Sequence, residues 1–128
     1  KNAASEKETK VMMRFINGLS GVKAALNYHS MGSILYWNYN VESDEALYAR
    51  QSSLASKVNE FTKYRLMPKS ISTDPNGGFG DWLIYNKKIP NVTVETGSVP
   101  CPLPHSQLKK ITRENSGLLN WFIGEFAK

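Results

Sequence analysis

The sequence predicts an α/β fold with three or four strands flanked by helices, and three observations carry that reading. Apolar residues recur at helical spacing in three long stretches. Short segments rich in β-branched and aromatic residues stand between them. Helical and extended patterns alternate along the chain, as they do in α/β proteins. So few strands make a small sheet for a complete α/β domain, and the pattern fits part of a larger one.

A first helix is expected from about Ser5 to Asn17. Ser5 followed by Glu8 has capping-box spacing, Val11, Met12, Phe15, Ile16 and Leu19 form an apolar stripe, and Gly18 is a stop. Val22 to Tyr28 then alternates as a strand. Met31-Gly32 makes a turn into a second strand over Ser33 to Trp37. A second helix is expected from Asp44 to Lys63, capped by Ser43 or Asp44, with Leu47, Tyr48, Leu54, Ala55, Val58 and Phe61 inward. Tyr64 to Asn76 reads as irregular. Asp81 can cap a short helix over Trp82 to Asn86. Val92 to Glu95 is a strand. A last helix begins near Ser106, with Gly117 as a weak point.

With 128 residues and 41% hydrophobic content the chain can bury one core. Apolar runs are too short for a transmembrane helix. The net charge of +5 is spread, with no basic run longer than two, which argues against a dedicated nucleic-acid site. The lone Cys101 excludes an internal disulfide and is expected to be a buried, inert thiol. Asn91-Val92-Thr93 matches a glycosylation acceptor but opens a strand, so the match is put down to chance.

Two residues stand at strand ends, where open α/β sheets gather functional groups. His29 closes the first strand and Glu95 the last. A histidine and a carboxylate so placed can meet. Each also has a plainer reading: a satisfied structural histidine, and a solvated glutamate entering a loop. His105, in Pro104-His105-Ser106, reads as an exposed residue at a helix start, and Trp37, Tyr39, Trp82 and Trp121 read as core or cleft wall.

The surrounding segments carry a resemblance. Tyr28-His29-Ser30-Met31 with its following apolar strand, Ser5-Glu6 opening a helix, Gly77-Gly78-Phe79-Gly80-Asp81-Trp82, and Val92-Thr93-Val94-Glu95-Thr96-Gly97 occur in the order and spacing of the zinc carboxypeptidase family. The resemblance covers essentially the whole chain. It implies the C-terminal part of that family's mixed-sheet catalytic domain. The branch that cuts γ-D-glutamyl-diamino acid bonds of peptidoglycan peptides is similar in Asp81 to Ile84 and from Glu95 through Pro102-Leu103-Pro104 to Ser106-Gln107.

By resemblance, His29 would be the third ligand of one catalytic zinc ion and Glu95 the general base. A catalytic zinc with three protein ligands keeps a position open for water. Ser30, Met31, Thr73 and Gly80 would lie along the substrate. The resemblance also implies a cis peptide at Ser30-Met31. The departures are specific. Only two histidines are present, followed three residues later by Gly32 and Leu108, so no His-x-x-Glu pair exists. In the family that pair, and the arginines that clamp the substrate carboxylate, come earlier in the chain. The tyrosine that digestive members place five residues before the second glycine is Thr73 here, and the position lining the primed-side pocket is Gly80, which offers no charge to a basic side chain.

The expected partners are therefore a peptide or peptidoglycan stem peptide and the missing N-terminal half of the domain, with no nucleic acid and no membrane span. The sheet edge facing that half would lie open, a route to self-association. Two other functions fit the same residues: a non-catalytic relative binding cell-wall peptides, and a basic module binding an anionic polymer. The compartment is left open between the cell wall or exterior and cytoplasmic peptide recycling.

Overall fold

The computed structural model describes residues 4–38, 44–68 and 78–127. Four strands form one mixed sheet in the order β1-β4-β2-β3. They are β1 (Ala25–Ser30), β2 (Ile34–Tyr36), β3 (Arg65–Leu66) and β4 (Asn91–Thr96). β4 runs parallel to β1 and antiparallel to β2, while β3 is parallel to β2. The last strand in sequence thus lies between the first two. Around the sheet stand α1 (Lys7–Gly18), α2 (Glu45–Thr62), α3 (Phe79–Lys87), α4 (Leu108–Glu114) and α5 (Leu118–Phe126).

Successive residues of a strand point to opposite faces. On one face Leu35, Val92 and Val94 are fully buried against Leu54, Ala55 and Val58 of α2 and Leu118 of α5. Burying each such side chain contributes about 1.5–3 kcal/mol. Phe61 and Trp121, with ring centroids 5.7 Å apart, extend this core between α2 and α5. On the other face α3 packs against β4, and its Ile84 meets Leu47 at the start of α2.

One buried polar side chain fastens the sheet to α2. Gln51 is 0% exposed. Its Nε2 donates to the carbonyls of Trp37, at 2.6 Å, and Asn91, at 2.5 Å. Its Oε1 accepts from the Asn91 N–H at 2.8 Å. One amide thus holds the start of β4 and the end of β2 at a fixed distance from the helix.

Several expectations hold and several are corrected. Asp44 caps α2 by accepting from the Leu47 N–H at 3.1 Å, while Ser43 lies outside the described residues. Ser30-Met31 is cis, and so is Cys101-Pro102. Asn91 is buried, out of reach of a glycosylating enzyme. Gly117, at φ 80°, does interrupt the last helix: α4 and α5 are separate, and a 3-10 turn at His105–Gln107 precedes them. His105 is exposed there.

The capping box at Ser5 does not form. The helix cap is Glu6, which puts Glu8 one position too early to reach back, and Ser5 Oγ donates to Glu6 Oε1 instead. Asp81 lies inside α3 rather than at its cap, with Oδ2 accepting from the Gly78 N–H at 3.0 Å. β3 falls in a stretch expected to be irregular. It forms because Arg65 N–H and Met67 N–H donate to Ser33 O and Leu35 O. The α1 stripe is not core: Val11 and Phe15 are 56% and 60% exposed, and no residue of α1 is buried. Cys101 is exposed, because the turn after β4 carries it outward. Tyr39 lies outside the described residues. Among the described residues no helix is long and apolar enough to cross a membrane.

Two measurements check this packing. Gln51→Ala strands the buried Asn91 N–H without Gln51 Oε1 and should cost about 3 kcal/mol in urea denaturation; a loss below about 0.5 kcal/mol would show that the amide is not a fastener. Tyr64 is 2% exposed, and burial and a hydrogen bond to Glu114 push its pKa from 10.0 up to about 12. A raised folded pKa means that the stabilisation is complete below pH 10.0 and lost as pH rises towards 12. Ultraviolet titration should show a tyrosinate forming near pH 12 that Tyr64→Phe removes.

Candidate active site

β1 and β4 bring the two strand-end residues together. The parallel register pairs His29 with Glu95, and β2 places Ile34 on the far side of Glu95. Directly paired residues share a face of the sheet. Neighbouring strands lie about 4.8 Å apart, so imidazole and carboxylate start from adjacent positions on one surface. That surface is the one opposite the Val92–Val94 core.

His29 is exposed, and it opens into a groove of about 850 Å³ between α1 and α3. Met12 and Met13 form one wall of this groove, Phe79, Trp82 and Tyr85 the other, and Asn27 lies two residues along the strand from His29. Glu95 sits beside the groove and is half-buried. Its Oε2 is fully buried and has no hydrogen-bond partner among the described residues. A buried carboxylate oxygen without a partner is costly.

The ends of the two strands are fastened to each other. Thr96 Oγ1 donates to His29 O at 3.0 Å. Gly97 O accepts from Gly32 N–H at 2.9 Å and from Ser33 Oγ at 3.1 Å. Gly97 needs to be glycine: φ is 80°, and a Cβ would come within 2.6 Å of Leu103 Cδ1. These bonds lock the turn after His29 to the turn after Glu95.

The other expected site residues are distributed unevenly. Ser30 stands on the face opposite His29, where its Oγ accepts from Cys101 Sγ at 3.4 Å. Met31 is in the turn, 44% exposed. Gly80 is buried in the first turn of α3 and does not line the groove, unlike its neighbours Phe79 and Asp81. Thr73 lies outside the described residues. The sequence reading missed Asn27. Asn27 shares the alternation that puts His29 on this face, and that was its one signal.

Zinc chemistry can be tested against these residues. His29 offers an exposed imidazole and Glu95 a carboxylate with an orphaned oxygen, both suited to such a centre. Among the described residues no three His, Cys, Asp or Glu side chains gather to hold a metal ion. The described residues thus fit one side of a zinc site, not a whole one.

Comparison with known proteins agrees with the geometry. The zinc carboxypeptidase family model matches residues 1–117. Gamma-D-glutamyl-L-diamino acid endopeptidase 1 of Lysinibacillus sphaericus is 31% identical over 94 residues, covering 73% of this chain and 22% of that protein. Carboxypeptidase B of Rattus norvegicus is 33% identical over 136 residues, covering 97% of this chain and 32% of its own length. Carboxypeptidase B of Homo sapiens is 33% identical over 126 residues, with 88% and 30% covered. The chain spans between 22% and 32% of the length of these relatives. A match that extends over most of the chain and includes both strand-end residues makes the assignment: this chain belongs to the zinc carboxypeptidase family.

Proposed function

We propose that the chain is the C-terminal part of a zinc peptidase domain, with His29 as a metal ligand and Glu95 as the general base. The observation that carries this reading is the pairing of His29 with Glu95 on one face, with the buried Oε2 of Glu95 unpartnered.

Zinc, when bound, supplies Lewis acidity towards the scissile carbonyl and acidifies water. Glu95 accepts a proton from the attacking water and returns it to the leaving amine. His29 holds the metal side of the site through an imidazole fixed by its strand. One imidazole is too few ligands for tight zinc binding. The other two ligands come from the missing N-terminal half of the domain, which covers the open edge of β1 and the apolar face of α1. Without that half the chain is inactive, and the same bare edge is a route to self-association.

The substrate is a peptide. The bond favoured is γ-D-glutamyl to a diamino acid, as the name of the Lysinibacillus sphaericus relative describes for that protein.

Zinc analysis and hydrolysis assays on the full-length protein test the reading. One zinc per protein is expected, lost in His29→Ala and kept in Glu95→Gln, with Glu95→Gln slowing hydrolysis about 10²–10⁴-fold. Zinc retained by His29→Ala would contradict the ligand role. Metal-free protein that still binds wall peptides would favour the non-catalytic relative, and steeply salt-dependent polymer binding would favour the basic module. Among peptides, cleavage of γ-D-glutamyl-diamino acid bonds should exceed removal of C-terminal Lys or Arg; the opposite order would overturn the substrate choice alone.

A further inference from the structure

β1 is an edge strand whose sheet partner among the described residues is β4. β4 holds the backbone of β1 from one side, and further restraint on the strand comes through its side chains. Tyr28, one residue earlier, points to the opposite face. Its hydroxyl donates to Asn115 Oδ1 at 3.3 Å, at the end of α4. Asn115 Nδ2 donates to Tyr64 Oη at 3.3 Å and to Ile111 O at 2.9 Å. Tyr64 Oη in turn donates to Glu114 Oε2 at 2.9 Å.

The same helix turn reaches the other member of the pair. Lys110 Nζ lies 3.7 Å from Glu114 Oε1 and donates to Ser98 Oγ at 3.0 Å. Ser98 is three residues beyond Glu95 and bonds Gln107 Oε1 at 3.3 Å. A run of contacts therefore leaves β1 beside His29, crosses α4, and returns to the loop that follows Glu95. All of it lies away from the groove.

We propose that Asn115 is a positioning residue. It tethers the strand bearing His29 to the helix that also holds the loop after Glu95, and so sets the separation of the two side chains. Its two links to tyrosine are long hydrogen bonds, so the effect is several-fold rather than all-or-none. The catalytic relevance rests on the proposed roles of His29 and Glu95; the tether does not.

Hydrogen-exchange NMR on the full-length protein tests it with Tyr28→Phe, Asn115→Leu and the double variant. The Ala25 N–H donates to Pro90 O, so alternation turns the His29 N–H towards β4 as well. Exchange of the His29 amide should quicken about 3- to 10-fold in each single variant. The double variant should be no faster than the faster single, since both remove one link. His29 ring resonances should shift, and the amides of Leu54 and Val58, inside α2, should not change. Unchanged His29 exchange in Tyr28→Phe would overturn the tether. Equal acceleration at Leu54 and Val58 in α2 would overturn it too, by showing a general loss of stability. Zinc kept by full-length His29→Ala would instead sink the catalytic reading and leave the tether standing.

Discussion

The register between β1 and β4 is the constraint on which the site depends. Strand side chains alternate with a period of two, so a slip of one residue would carry His29 to the other face. The register is set by apolar packing: Val92, Val94 and Leu35 are fully buried under α2 and α5, and Leu26 lies at the margin of that core. Slippage would expose those side chains to water at a cost of several kcal/mol. The hydrophobic core thus specifies, from behind, which groups the sheet presents in front. Gln51 acts in the same direction by fixing where β4 begins.

The front face is built differently. Its groups are polar or half-exposed, and its apolar neighbours on α1 are uncovered. Fastening there falls to hydrogen bonds among strand ends and turns, through Thr96, Gly97, Ser33 and Gly32. Such bonds orient groups without filling space. Glu95 combines both regimes: its backbone sits in a well-packed central strand, while one carboxylate oxygen is buried and unsatisfied.

Much of this was legible in the residues, and the failures have physical causes. α2 follows from its period, since its buried positions Leu47, Gln51, Leu54, Ala55, Val58 and Thr62 repeat at helical spacing. Gln51 and Thr62 were absent from that reading because composition alone does not reveal a buried amide satisfied by backbone. β3 is two residues long and depends on main-chain bonds to β2, which leave no side-chain pattern. α1 shows the converse case. Its periodicity is real, but an apolar stripe says that a face wants cover and not that cover is present. His29 and Glu95 were readable as strand-end residues; their pairing needed the strand order, which places β4 beside β1 across most of the sequence.

The central claim concerns where one ion and two side chains stand. Anomalous diffraction at the zinc edge, from crystals of the full-length protein, measures it most directly. The account predicts one peak about 2.0–2.1 Å from a ring nitrogen of His29, with the Glu95 carboxylate facing it across a single solvent molecule. A peak bound elsewhere, with His29 uncoordinated or Glu95 turned into the core, would contradict it.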